Sequence, residues 1–310
     1  MRIIYLGTSD IAVPALQALI ESEHDVVAVV TQPDKISGRG KNIRFSPVKE
    51  AALSAGLVIW QPETVKDPSF QEELRQAGPD LFVVTAYSQK IPEEVISIAP
   101  YGCINIHPSL LPKYRGAAPL IGAILNGEEV TGVTIMRIAR ELDAGNILAQ
   151  ETLPIDADDT LRTLEPKAAA LGAKMLLEVI SQMEAGTLTE TEQDASAATY
   201  MKTLSKDAGK IDFSLSAEQI RCQIRAFDPW PSAYTFLEGK TFKFWAADVT
   251  ENTDDAEPGM VVYVDKKTLI VKCGKDALSL KEVQMEGKKR MSTEEFLRGK
   301  KIETGFRFGA

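Results

Sequence analysis

Residues 1–150 alternate short apolar, β-branched runs with amphipathic segments, the pattern of a parallel sheet flanked by helices. Strands are predicted at 2–6, 26–31, 57–60, 81–86 and 103–107, and helices at 11–22, 48–55, 70–76, 93–98 and 120–125. Ser9 or Asp10 can cap the first helix, and Pro14 falls near its first turn, where a missing N–H matters least. The pattern then changes. Residues 132–138 and 146–151 alternate in period two across Asp143-Ala-Gly145, which predicts a hairpin added to the parallel sheet. Residues 161–184 are helical in composition but contain Pro166, so the helix either kinks there or begins near it after a separate turn.

Residues 185–205 are rich in Ser, Thr, Ala and charge without a clear period, and read as a linker. Beyond them a helix is predicted at 217–226 and short strands at 235–236, 241–246, 259–264, 268–273 and 277–283, for which a small antiparallel barrel is the natural closure. The expected class is α/β. A Rossmann-like, mixed and mainly parallel sheet flanked by helices occupies 1–184, a linker 185–205, and a small OB-like β-barrel domain 206–310.

Composition agrees with this division. The 310 residues suit two domains of about 100–200 each. With 44% hydrophobic and 25% charged residues, disordered, collagenous and repeat-array chains are excluded. No apolar run approaches the ~18–20 residues that cross a bilayer, and the start turns polar at Thr8, so a cytoplasmic protein without a membrane partner is expected. Cys103, Cys222 and Cys273 form no CxxC pair and read as small buried hydrophobes. His24 and His107 are too few for a His-rich metal site, and His24 reads as an exposed loop residue. The net charge of −9 argues against a general nucleic-acid binder. It is uneven, however: residues 206–310 carry 18 Lys/Arg against 17 Asp/Glu, net +1, and residues 1–205 carry 17 against 27, net −10. A locally basic surface remains open.

Candidate chemistry is sought at the carboxyl ends of the strands, near the point where strand order reverses. In Cys103-Ile-Asn105-Ile-His107-Pro108, period two points Asn105 and His107 to one face, about 6.5–7 Å apart. If the hairpin folds back over this strand, Asp143 can approach the imidazole and set its tautomer. Each motif alone is weak, because a His beside Pro is commonly structural and Asp-Ala-Gly is a common turn. Gly7-Thr-Ser-Asp10 lacks GxGxxG, and no GxxxxGK[ST] occurs, so dinucleotide and P-loop sites are not indicated. The long loop from Ser109 to Pro119 could line a slot for a flat apolar ring. The loop at 32–47 carries Lys35, Arg39, Lys41 and Arg44 against Asp34, and suits a phosphate-contacting arm.

Taken together, Asn105-Ile-His107-Pro-Ser-Leu-Leu-Pro-Lys-Tyr-Arg-Gly-Ala-Ala-Pro119 and Leu142-Asp143-Ala-Gly145 resemble the 10-formyltetrahydrofolate-dependent formyltransferases. The resemblance continues through Thr31-Gln-Pro-Asp34, Gly132-Val-Thr-Ile-Met136 and Arg225-Ala-Phe-Asp-Pro-Trp-Pro231, nearly the whole chain. It implies a one-carbon transferase with Asn105, His107 and Asp143 as catalytic residues. The formyl donor, 10-formyltetrahydrofolate, is then a co-substrate, with no permanently bound cofactor and no metal. Its pterin is expected against Tyr87, Ile91 and the Asp143 hairpin, with Ser109, Leu110, Leu111 and Pro112 closing the pocket.

Within this family the two-domain length, the basic loop and the carboxyl-terminal barrel favour an initiator methionyl-tRNA as acceptor, for translation initiation. Lys35, Arg39, Lys41 and Arg44 would meet acceptor-stem phosphates, and Lys206, Lys210 and Arg225 would steer the stem. A monomer is the default. The rivals are an amino-sugar nucleotide or small amine as acceptor, water as acceptor with release of formate, and a non-catalytic RNA-binding or folate-sensing module. Three positions depart from the family pattern: Glu141 stands where Gly commonly precedes Leu-Asp, Ala144 where Thr is frequent, and Pro166 where the helix usually runs Tyr-Asp-Lys-Leu. None removes a member of the trio.

Overall fold

The computed structural model describes residues 1–37 and 42–309, so Arg39 and Lys41 of the expected arm lie outside the described residues. The chain forms two compact units. One comprises Met1–Pro119, Val130–Pro154 and Glu165–Met201, the other Leu120–Glu129, Ile155–Leu164 and Lys202–Ala310.

Along the first unit run β1 (Arg2–Gly7), α1 (Val13–Glu21), β2 (Asp25–Val30), β3 (Lys35–Ser37), β4 (Asn42–Arg44), α2 (Pro47–Ser54), β5 (Ile59–Trp60), α3 (Pro68–Ala77), β6 (Leu81–Thr85), α4 (Glu93–Ile96), β7 (Cys103–His107) and β8 (Arg115–Gly116). After α5 (Pro119–Leu125) come β9 (Val130–Arg137), β10 (Ile147–Pro154), α6 (Leu161–Glu184) and β11 (Tyr200–Met201). The main sheet has the order β10-β9-β7-β6-β1-β2-β5. β5, β2, β1, β6 and β7 run parallel, while β9 is antiparallel to β7 and β10 to β9. Ile3, Ile4, Tyr5, Val29, Val30, Leu81 and Phe82 are wholly buried, the continuous apolar runs of a sheet covered on both faces.

Helix starts follow local chemistry. Ser46 Oγ accepts the Lys49 N–H at 3.1 Å ahead of Pro47, and Asp67 Oδ1 accepts the Ser69 N–H at 2.8 Å ahead of Pro68. The strand order reverses between β1 and β6, because the chain builds outward from β1 to β5 and then returns to the opposite side. The carboxyl ends of β1, β6 and β7 therefore meet where open α/β sheets bind ligands.

Three expectations are corrected. α6 is one helix through Pro166, which lies in its second turn, so no separate turn precedes it. The stretch read as a linker is packed against the first unit as far as Met201: Thr191 and Ile147 exchange backbone hydrogen bonds, and β11 pairs in parallel with β8. His24 is not an exposed loop residue. Its side chain is 7% exposed, with Nδ1 3.3 Å from the Met1 amine and 3.9 Å from Glu184.

In the second unit α7 (Ala217–Ala226) starts at a reciprocal cap between Ser216 and Gln219. The strands are β12 (Ala233–Leu237), β13 (Lys240–Thr250), β14 (Val261–Val264), β15 (Leu269–Lys272), β16 (Ala277–Met285) and β17 (Met291–Ser292), followed by α8 (Thr293–Gly299). They pair antiparallel in the order β12-β13-β16-β15-β14, with β17 on β16, in a small barrel-like domain. Its core is aromatic: Phe242 stacks on Phe308 with centroids 5.6 Å apart and contacts Phe244 and Phe296. The three cysteines are free and buried. Among the described residues no helix is long and apolar enough to cross a membrane.

Candidate active site

β7 lies between β6 and β9, so its direction and its alternation of faces are set on both sides. Asn105 is half-buried, and its amide makes no side-chain hydrogen bond among the described residues. His107, two residues on, is 4% exposed. Its Nε2 lies 3.0 Å from the Tyr114 carbonyl oxygen. A carbonyl only accepts, so Nε2 carries the hydrogen and the neutral ring presents a lone pair at Nδ1. That atom is 3.8 Å from Asp143 Oδ2, too far for a hydrogen bond and close enough for charge to be felt.

Desolvation outweighs the Asp143 charge and the Tyr114 carbonyl and pushes the His107 pKa below its ordinary value. Burial therefore favours the neutral imidazole beside Asp143 over a standing ion pair. Asp143 Oδ2 also accepts the Gly116 N–H at 2.7 Å. An unengaged amide, a basic ring nitrogen and a carboxylate therefore share one region, a set suited to acyl transfer to an amine.

The loop after β7 is tied down by its own backbone and by distant segments. Ser109 Oγ donates to the Lys113 carbonyl at 2.7 Å, and Thr134 Oγ1 donates to the Ser109 carbonyl at 2.6 Å. Thr134 also accepts the Leu111 N–H and a Gln150 amide hydrogen. From the far end of the first unit, Thr199 Oγ1 accepts the Tyr114 N–H at 2.8 Å, and the Thr199 carbonyl accepts the Arg115 N–H at 2.8 Å. Gly116 has φ +110°, and a Cβ there would strike the Met201 carbonyl oxygen, so glycine is required beside the Asp143 carboxylate.

The other expected site residues divide by burial. Ser109, Leu111 and Ile91 are buried, whereas Leu110, Pro112 and Tyr87 are half-buried. The Tyr87 hydroxyl is buried without a partner, and burial pushes its pKa up to about 12. Thr8 Oγ1, Gln32 Nε2 and Thr85 Oγ1 are likewise unpaired. These four atoms sit at or just beyond the carboxyl ends of β1, β2 and β6, and each unpaired group costs about 1–3 kcal/mol that a polar ligand can recover. Lys35 begins β3, and Arg44, Lys206 and Lys210 are exposed. Arg225 Nε donates to the Asp159 carbonyl at 2.8 Å. No group of three or more His, Cys, Asp and Glu is placed to hold a metal among the described residues.

Sequence reasoning missed Thr134, Gln150, Arg115 and Gln193. Arg115 and Gln193 are buried and joined, with Gln193 Oε1 accepting from Arg115 Nε at 3.2 Å and Nη2 at 2.8 Å. Residue 193 falls in a stretch without periodicity, so no local signal marks it.

A mixed, mainly parallel sheet with Asn105, His107 and Asp143 near the carboxyl end of β7 defines a class of fold, and comparison with known proteins identifies the family. Residues 1–180 match the family described as formyl transferase, and residues 203–301 match the formyl transferase C-terminal domain. The chain belongs to the formyl transferase family. It is 46% identical to a methionyl-tRNA formyltransferase from Lachnospira eligens over 100% of both chains. It is also 46% identical to one from Caldanaerobacter subterraneus subsp. tengcongensis, over 98% of this chain and 99% of the relative. Among solved structures, the N-formyltransferase from Helicobacter canadensis, in complex with folinic acid and dTDP-3-aminofucose, aligns with a TM-score of 0.67. It is 20% identical, covering 90% of this chain and 99% of its own, and shares the fold.

Proposed function

We propose that this formyltransferase moves the formyl group of 10-formyltetrahydrofolate to the α-amine of an initiator methionyl-tRNA, in the cytoplasm and as a monomer, for translation initiation. The observation that carries the reading is the approach of Asp143 to His107, 3.8 Å apart, on the wall that also holds the unengaged Asn105 amide. Full-length similarity to methionyl-tRNA formyltransferases supports the acceptor.

The unprotonated amine attacks the formyl carbon, forming a C–N bond and a tetrahedral oxyanion. The Asn105 amide donates to that oxyanion, a contribution of about 3–4 kcal/mol for a donor of this kind. The proton leaving the amine passes to the Asp143–His107 pair, whose basic Nδ1 faces the carboxylate, and is returned to N10 as the bond to the formyl carbon breaks. Tyr87, Ile91 and residues 109–112 form the folate side, and Lys35, Arg39, Lys41, Arg44, Lys206, Lys210 and Arg225 meet or steer the tRNA phosphates. The carboxyl-terminal domain, 206–310, serves that binding beside a catalytic domain at 1–184.

The test is formyl-methionine formation from 10-formyltetrahydrofolate and initiator methionyl-tRNA, beside Asn105→Ala. Transfer that falls about 10²–10³-fold in the variant is expected. Formate release without acceptor, or transfer only to an amino-sugar nucleotide, overturns the choice of acceptor, and full activity of the variant overturns the role of Asn105.

A further inference from the structure

We propose that Gln193 is a positioning residue for formyl transfer, holding the Asp143 tip in the one conformation that presents its carboxylate to His107. The proposal rests on the reading of the trio above. Gln193 Nε2 donates to the Asp143 carbonyl at 2.9 Å and to the Gly145 carbonyl at 2.7 Å, so it brackets the turn on both sides. Its Oε1 accepts from Arg115 Nε and Nη2. Both donors and both acceptor sites of one amide are thus used, at a residue 8% exposed.

The direction of the amide is not free. Arg115 is 3% exposed and has no carboxylate partner among the described residues; apart from Gln193 Oε1, its guanidinium meets only Tyr200, whose hydroxyl is 3.4 Å away. A guanidinium only donates, so Oε1 must face Arg115 and Nε2 must face the tip. The tip needs such a hold. Asp143 has φ +49°, left-handed backbone that a non-glycine residue rarely adopts, and two donated hydrogen bonds at 143 and 145 keep it there. Gln193 belongs to the stretch that looks like a linker in sequence, and it lies in the same compact unit as Asp143.

Gln193→Glu separates positioning from mere support. A carboxylate gives Arg115 a counter-ion at unchanged size, yet aims oxygen lone pairs at two carbonyl oxygens. In the full chain, kcat is expected to fall about 10²-fold, as for a displaced catalytic group, with KM for both substrates within about threefold. Asp143 raises the His107 pKa, so loss of the tip should lower the His107 titration midpoint seen by NMR, read against His24, the only other histidine. An unchanged kcat with an unchanged His107 midpoint overturns the proposal and leaves Gln193 as a prop for Arg115. If Gln193→Glu does not fold, Gln193→Met removes both sets of bonds at similar volume, and an unmoved midpoint there is equally fatal. Absence of formyl transfer in the unaltered protein, with the midpoint still moving in the variant, rejects the functional reading and sustains the positioning geometry.

Discussion

His107 and Asp143 reach the same region by different means. His107 ends β7, a strand hydrogen-bonded on both sides, and its ring is fixed by the carbonyl of Tyr114. Asp143 sits on the tip between β9 and β10, in left-handed backbone, held by the Gly116 N–H and by Gln193. The strand wall owes its geometry to the sheet, whereas the tip owes it to a few long-range bonds. Damage near the wall should therefore cost stability before rate, and damage near the tip should cost rate before stability.

The largest effect is expected from Asp143→Asn, which keeps an acceptor for the Gly116 N–H and removes the charge. Turnover should fall about 10²–10⁴-fold, the range of a lost acid–base group, measured in single-turnover formyl transfer. Its pH dependence sharpens the point. With His107 pushed below its ordinary value, kcat/KM corrected for protonation of the substrate amine should be level through neutrality and fall as acid protonates the ring. Asp143 opposes that downward shift, so Asp143→Asn should carry the residual acid limb to lower pH; movement to higher pH would contradict the assigned geometry.

Gly145→Ala comes next. A Cβ at 145 would drive into the Arg137 carbonyl oxygen, so the tip must shift. A loss of about 10-fold or more in kcat with about 1–3 kcal/mol of stability is expected, from rate assays and denaturant unfolding. Wild-type turnover would show that the tip tolerates displacement.

The smallest effect on rate belongs to Thr134→Val, at a fully buried residue supporting the loop after β7. It strands the Ser109 carbonyl and the Leu111 N–H, at about 1–3 kcal/mol for each group left unpaired. Unfolding should shift clearly while kcat changes less than about tenfold. A collapse of rate without loss of stability would reverse the assignment of sturdy wall and conditional tip.

Much of this contrast was visible before any tertiary contact. The strand at 103–107 and the helix at 217–226 appear in the structure with those bounds, because period two and helical composition are local signals. The placing of Asn105 and His107 on one wall follows from the same period. From spacing alone Asp143 was legible as a turn residue whose approach depended on how the hairpin folds; only the family resemblance pointed to it as catalytic. Ser109 and Leu111, expected at a pocket wall, are buried: the Ser109 hydroxyl turns onto the Lys113 carbonyl, and the backbone of both residues is tied to Thr134. Pro166 read either as a kink or as a helix start, and it lies inside α6, whose 24 residues tolerate one missing backbone donor in the second turn. His24, polar and flanked by charge, is mostly enclosed beside the Met1 amine and Glu184.

By itself, the sequence determined the alternation of strands and helices, the antiparallel second half, and the chemistry available at the ends of the strands. These depend on neighbours within a few residues, where spacing translates directly into direction. Only the tertiary structure decided that the apparent linker closes on the first unit, that His107 is buried with Nδ1 toward Asp143 and its pKa pushed down, and that Gln193 faces the tip. Each of these depends on burial or on hydrogen bonds between residues far apart in the chain, and neither leaves a periodic trace in the order of amino acids.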